Sequence, residues 1–98
     1  MAIRHIISIR VAAGRAAEFA AAFDAVRAHT LREEGCEQYD LYQNTTDPDA
    51  LVMLERWTDQ QTLEKHMATE RTENTDLLNP LISLWEPGTT PTVERYED

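Results

Sequence analysis

From Leu51 to Trp57 the side chains alternate: Leu51, Met53, Glu55 and Trp57 lie on one side of an extended chain and Val52, Leu54 and Arg56 on the other. Thr58 or Asp59 can then cap a helix, and Leu63, His66 and Met67 follow at helical spacing, with Leu63 and Met67 as an apolar i, i+4 pair. A strand that passes straight into a helix commits the chain to mixed α and β structure. It also places an aromatic ring, Trp57, and an imidazole, His66, near the junction of the two elements.

The same alternation runs from Ile3 to Val11, where Ile3, His5, Ile7, Ile9 and Val11 point one way and Arg4, Ile6, Ser8 and Arg10 the other, which predicts a first strand. From about Arg15 to Leu31 the spacing turns helical, with Phe19, Phe23 and Val26 in one stripe among many alanines. Gly35 fits the turn that ends this helix and opens a second strand through Cys36, Tyr39, Leu41 and Tyr42. The turn formers from Asn44 to Asp49 join it to the third strand in a hairpin-like connection. After a polar stretch from Glu70 to Asp76, Leu77, Leu78, Leu81, Ile82 and Trp85 repeat at helical spacing, with Pro80 either starting a turn or kinking the segment. Pro87, Gly88 and Pro91 end it, and Val93 and Tyr96 mark a last strand suited to a sheet edge or to exchange between copies.

Strand, helix, strand, strand, helix, helix, strand is the order of an α+β, ferredoxin-like split βαβ domain. One antiparallel sheet carries helices on one face, as a single domain over residues 1–98. The other face would be bare although alternate positions such as Ile6 and either Met53 or Leu54 make both faces partly apolar, so a second copy of the chain is the expected cover.

A net charge of −9, from 18 acidic against 9 basic residues, argues against nucleic-acid and anionic-membrane partners. It disfavours strongly anionic substrates as well, unless Arg4, Arg10, Arg56 or Arg71 converge. The single cysteine, Cys36, cannot form an internal disulfide and is read as a small buried hydrophobe. Arg4, His5 and Arg10 interrupt any signal-peptide core and no apolar run reaches membrane-span length, so a cytoplasmic location is expected. Gly14, Gly35 and Gly88 are too scattered for a phosphate loop. His5, His29 and His66 never recur at metal-ligand spacing, and Asp47 and Asp49 read as a solvated turn.

Among the remaining polar groups, His66 has two readings: an ionisable base near neutrality, or a helix histidine tied to backbone or to Glu55. Trp57 is either core or an aromatic wall that offers its indole N–H to a ligand oxygen. Tyr39 and Tyr42 lie three apart, so at most one of them faces a given pocket. Glu55, on the face of Met53 and Trp57, is either partly desolvated with a raised pKa or, the preferred expectation, paired with a basic group such as Arg4 or Arg10 on a neighbouring strand or in a second copy.

The pieces Glu34-Gly35-Cys36 with Tyr39, Leu41 and Tyr42, then Glu55-Arg56-Trp57-Thr58-Asp59, then Leu63 with His66, resemble in order and spacing the antibiotic biosynthesis monooxygenase family, from about residue 3 to residue 67. The resemblance implies a dimeric α+β barrel and an oxygenase using neither metal, haem nor flavin. A quinol, anthrone or similar electron-rich aromatic would react with dioxygen, with His66 as base or oxygen-holding donor and Trp57, Tyr39, Tyr42 and Glu55 around the substrate. Many relatives carry a second histidine shortly after the first, where this chain has Arg71 and Thr72. The contrasting expectation is a binding or sensing module that uses the same pocket without turnover.

Overall fold

Alternation settles the sheet. In the computed structural model, which describes residues 1–98, strand β1 (Ile3–Arg10) pairs antiparallel with β3 (Ala50–Trp57) so that Ile3 faces Trp57, His5 faces Glu55, Ile7 faces Met53 and Ile9 faces Leu51. Strand β2 (Cys36–Gln43) lies on the far side of β3, and β4 (Thr92–Glu97) pairs with the free edge of β1, giving one antiparallel sheet in the order β2-β3-β1-β4. With helices α1 (Ala16–Thr30), α2 (Gln60–Thr72) and α3 (Thr75–Ile82), this is the α+β, ferredoxin-like arrangement the sequence order predicts.

The helices cover one face. Ile3, Ile9, Leu51, Met53 and Trp57 are buried there, whereas Arg4, Ile6, Val52, Leu54 and Arg56 on the opposite face stay partly exposed. Helix α1 buries Phe19, Phe23, Val26 and Thr30, a stripe at spacings of four, three and four that the surrounding alanines allow to lie close to the strands. These side chains join Tyr39, Leu51, Met53, Leu81 and Leu84 in the main core; a smaller cluster of Ile3, Trp57 and Leu63 sits under α2.

Two local features set which side chains reach the helix side of β2. The register shifts between Cys36 and Gln38, a bulge that lets Cys36 lie opposite Trp57 and Tyr39 opposite Glu55, so residues three apart face the same way. Tyr42, opposite Val52, faces the open side. The polar stretch from 70 to 76 is largely helical: α2 runs on to Thr72 and α3 begins at Thr75, which puts Glu70 on the turn after His66. Pro80 is accommodated inside the short α3. No helix is long and apolar enough to cross a membrane.

Candidate functional site

Helix α2 is aimed by its first turn. Asp59 caps it: its carboxylate accepts the Thr62 N–H at 2.9 Å, and the Thr62 hydroxyl accepts the Asp59 N–H at 3.4 Å, a capping box. Gly35, at φ +84°, lets the turn before β2 press against this cap, because a Cβ there would fall 2.5 Å from the Thr62 side chain. Thr58 N–H donates to the Gly35 carbonyl at 2.9 Å and closes the joint. From this anchored start Thr62, Leu63 and His66 turn inward, and the His66 ring comes to rest on Trp57 with centroids 4.4 Å apart.

His66 is 3 % exposed and surrounded by three carboxylates from three parts of the chain. Its Nδ1 donates to Glu33 Oε2 at 2.8 Å, in the turn after α1. Its Nε2 is fully buried without an aligned hydrogen-bond partner, and faces Glu70 Oε1 at 3.3 Å and Glu55 Oε1 at 3.9 Å. The Trp57 indole N–H donates to Glu55 Oε1 at 3.0 Å, and Tyr39 meets the imidazole edge-on at 5.9 Å while stacking on Phe23.

The electrostatics follow from this packing. Burial alone would discharge His66, but Glu70, Glu33 and Glu55 outweigh it and raise its pKa to about 9, so the resting ring is an imidazolium. Burial pushes the Glu55 carboxyl above its ordinary range despite the Trp57 N–H and His66, with Glu70 and Glu33 adding to the rise. The Tyr39 phenol is pushed up by burial and then by Glu55 and Glu70, which keeps it neutral. Cys36 is likewise raised, to about 11, by burial and the nearby carboxylates, which suits a packing thiol rather than a nucleophile.

Two hollows flank the cluster. Between the sheet, α1 and α3 lies a cavity of about 400 Å³, walled by apolar side chains that include Ile7, Phe19, Met53, Leu78 and Leu81, with Tyr39, Glu55, Glu70 and Arg71 as polar groups. On the other side of His66 a surface depression of about 320 Å³ has no apolar lining and includes Arg32, Glu33, Lys65 and His66 itself. A third groove, of about 460 Å³ beside α1 and β2, is lined by Arg27 and Asp40, which already bond each other, and holds none of the buried titratable groups. The cavity of about 400 Å³ is therefore the one whose walls can hold a ring and exchange a proton. No three or more His, Cys, Asp or Glu side chains are disposed around a common metal position.

The structure brings His66, Trp57, Glu55 and Tyr39 together and leaves Tyr42 out: it is 52 % exposed and faces away from the cluster. Trp57 has no exposed surface and stands behind the cavity, bracing Glu55 and His66 instead of forming the wall. The expected pairing of Glu55 with Arg4 or Arg10 is corrected. Arg4 and Arg10 point to the open face and the strand end, where they pair with Asp98 and with Asp47 and Glu86, while Glu55 faces the helices. Sequence reasoning passed over Glu33 and Glu70. Glu70 is four residues after His66 and helical spacing alone signals it; Glu33 reaches His66 only through the Gly35 turn.

The pattern of the antibiotic biosynthesis monooxygenase family matches residues 2–75. YcnE of Bacillus subtilis (strain 168), named as a proposed monooxygenase, is 33 % identical over 61 residues, which are 62 % of this chain and 64 % of that protein. A conserved protein from Methanosarcina mazei Go1 superposes with a TM-score of 0.83 at 28 % identity, covering 98 % of this chain and 91 % of its own. A variant of SnoaB, a cofactor-independent oxygenase from Streptomyces nogalater, shares the fold with a TM-score of 0.83 at 18 % identity, covering 99 % and 92 %.

Proposed function

The chain belongs to the antibiotic biosynthesis monooxygenase family, and on that premise we propose that it is a cofactor-independent monooxygenase acting on a quinol, anthrone or similar electron-rich aromatic with dioxygen. The observation that carries the proposal is the placement of buried Glu55 and partly exposed Glu70 at the polar wall of an otherwise largely apolar cavity, against the charged ring of His66. SnoaB, by its name a cofactor-independent oxygenase, supports it.

The chemistry needs a proton acceptor, a dry space and a held ring. The substrate lies among Phe19, Met53 and Leu78 with its hydroxyl or activated C–H toward Glu70. Glu70 takes the proton; the substrate anion passes one electron to dioxygen; the radical pair recombines into a peroxide anion. That anion recovers the proton from Glu70 and eliminates water, so a methylene plus dioxygen becomes a carbonyl plus water. The electrons come from the substrate. Because His66 already carries a proton, its role is that of donor and charge partner to Glu55 and Glu70, and the base is a carboxylate. Trp57 and Tyr39 hold the cluster in place.

The open sheet face supports a homodimer. Ile6, Val52 and Leu54 form an apolar patch there, flanked by Tyr42 and Tyr96, which are about half exposed.

Oxygen uptake by purified, metal-free protein with a panel of hydroquinones, anthrones and polyphenols tests the activity. Glu70→Gln should lower turnover by about 10²–10⁴, the span of general-base catalysis, with the fold intact. Trp57→Phe should weaken the reaction less, since a ring remains against His66. Binding of the panel without oxygen uptake would make the protein a binding or sensing module.

A further inference from the structure

His66 is the partition between two spaces. On its inner side Nε2 faces Glu70 and Glu55, which line the cavity; on its outer side Nδ1 is bonded to Glu33, which lines the polar depression. A histidine buried purely for packing needs one partner. This one has a tight partner facing the surface and an unpartnered nitrogen facing the cavity carboxylates.

We propose that His66 and Glu33 form a proton outlet for the cavity: when Glu70 takes a proton from a bound molecule, His66 gives its Nδ1 proton to Glu33 and so to the outer depression, recovering it when Glu70 is emptied. The inference rests on the oxygenase reading for the origin of the proton, and on the geometry alone for the route.

The charge balance requires an outlet of this kind. His66 keeps its proton because Glu70, Glu33 and Glu55 face it, from α2 itself, from the turn after α1 and from β3. Neutralising Glu70 removes the largest of these attractions, while burial of the ring continues to oppose its charge. The other titratable neighbours do not take up the difference. Tyr39 and Cys36, on β2, are held neutral, and His5, on β1, is lowered by burial and by Arg95. The Nδ1 proton has an acceptor 2.8 Å away that is 18 % exposed toward water. The proton lost outside matches the proton gained inside, and the cluster keeps its net charge throughout the cycle. Because a proton returns to Nδ1 from Glu33 along the same line, the stacked ring need not rotate.

The test has two arms. In the first, nitrogen NMR follows His66 in wild type and in Glu70→Gln, which mimics the protonated carboxyl. The midpoint should fall by at least about one pH unit, a tenfold loosening of the proton; an unchanged midpoint would overturn the coupling. In the second, Glu33→Gln and Glu33→Asp are compared for exchange of the Nδ1 proton with water and for oxygen uptake. Glu33→Gln should slow both about tenfold without changing KM, with Asp or added imidazole buffer restoring them. Wild-type exchange and turnover in Glu33→Gln would refute the outlet. If wild type takes up no oxygen, the oxygenase reading fails, and the midpoint and exchange rates still decide the outlet.

Discussion

His66 makes stability depend on pH in a direction opposite to that of ordinary paired carboxylates. Its folded pKa of about 9 lies above the 6.5 of a free imidazole, so the folded state holds the proton more tightly. The associated stabilisation is fully present below pH 6.5 and is lost as pH rises through about 9. At about 1.4 kcal/mol per unit, the difference corresponds to roughly 3 kcal/mol, nearly all of it lost between pH 6 and pH 9. With a urea dependence of about 1–1.5 kcal/mol per molar for a domain of this size, the unfolding midpoint should fall by about 2 M over that range. His66→Gln retains a polar side chain that does not titrate, so its midpoint should change far less. The comparison is made at fixed protein concentration and stops at pH 9, because Cys36, raised to about 11, adds its own loss above that. Urea unfolding followed by the fluorescence of Trp57 and Trp85 is the assay. Parallel pH profiles for the two proteins, differing in slope by less than about 0.5 kcal/mol across the range, would refute the charged, carboxylate-held state of His66.

Gly35→Ala should destabilise by about 2 kcal/mol or more, from the left-handed backbone penalty of roughly 1–2 kcal/mol and the collision with Thr62; an unchanged urea midpoint would show that the turn does not brace α2. Leu54→Asp, a charge in the middle of the open sheet face, should convert a dimer into a monomer at micromolar concentration in sedimentation without loss of helix content. Unaltered sedimentation of a dimeric wild type would place the interface elsewhere.

The fold was readable because it is written in short-range periods. Alternation in Ile3 to Arg10 and in Ala50 to Trp57 defines the two central strands, and the Phe19, Phe23, Val26 stripe defines the helix that covers them. The cluster was readable in part. Trp57, His66 and Glu55 belong to one strand and helix unit, so their proximity follows from local order. Three features were not legible. The bulge at Cys36 to Gln38 changes which side Tyr39 faces, and no composition rule marks it. The placement of Trp57 behind the cavity depends on how closely α2 lies on the sheet, which the contact of Gly35 with Thr62 determines. Glu33 meets His66 across 33 positions of chain, a pairing that exists only once the turn is folded.

A core position in the middle of β3 has no packing reason to hold a carboxylate. Leucine at residue 55 would extend the row of Leu51 and Met53, and buried ionic groups replaced by apolar ones of similar volume often leave a protein as stable or more so. Glu55 instead draws in the Trp57 N–H and His66, and His66 in turn draws in Glu33 and Glu70. One imidazolium beside three carboxylates is more negative charge than a structural ion pair requires. The excess lies on the cavity side, at Glu55 and Glu70, where one carboxylate can bind a proton while His66 passes its own to Glu33. A purely structural pair would be balanced and closed. This cluster is unbalanced toward the cavity and open toward water, the asymmetry that moving a proton between a bound molecule and solvent requires.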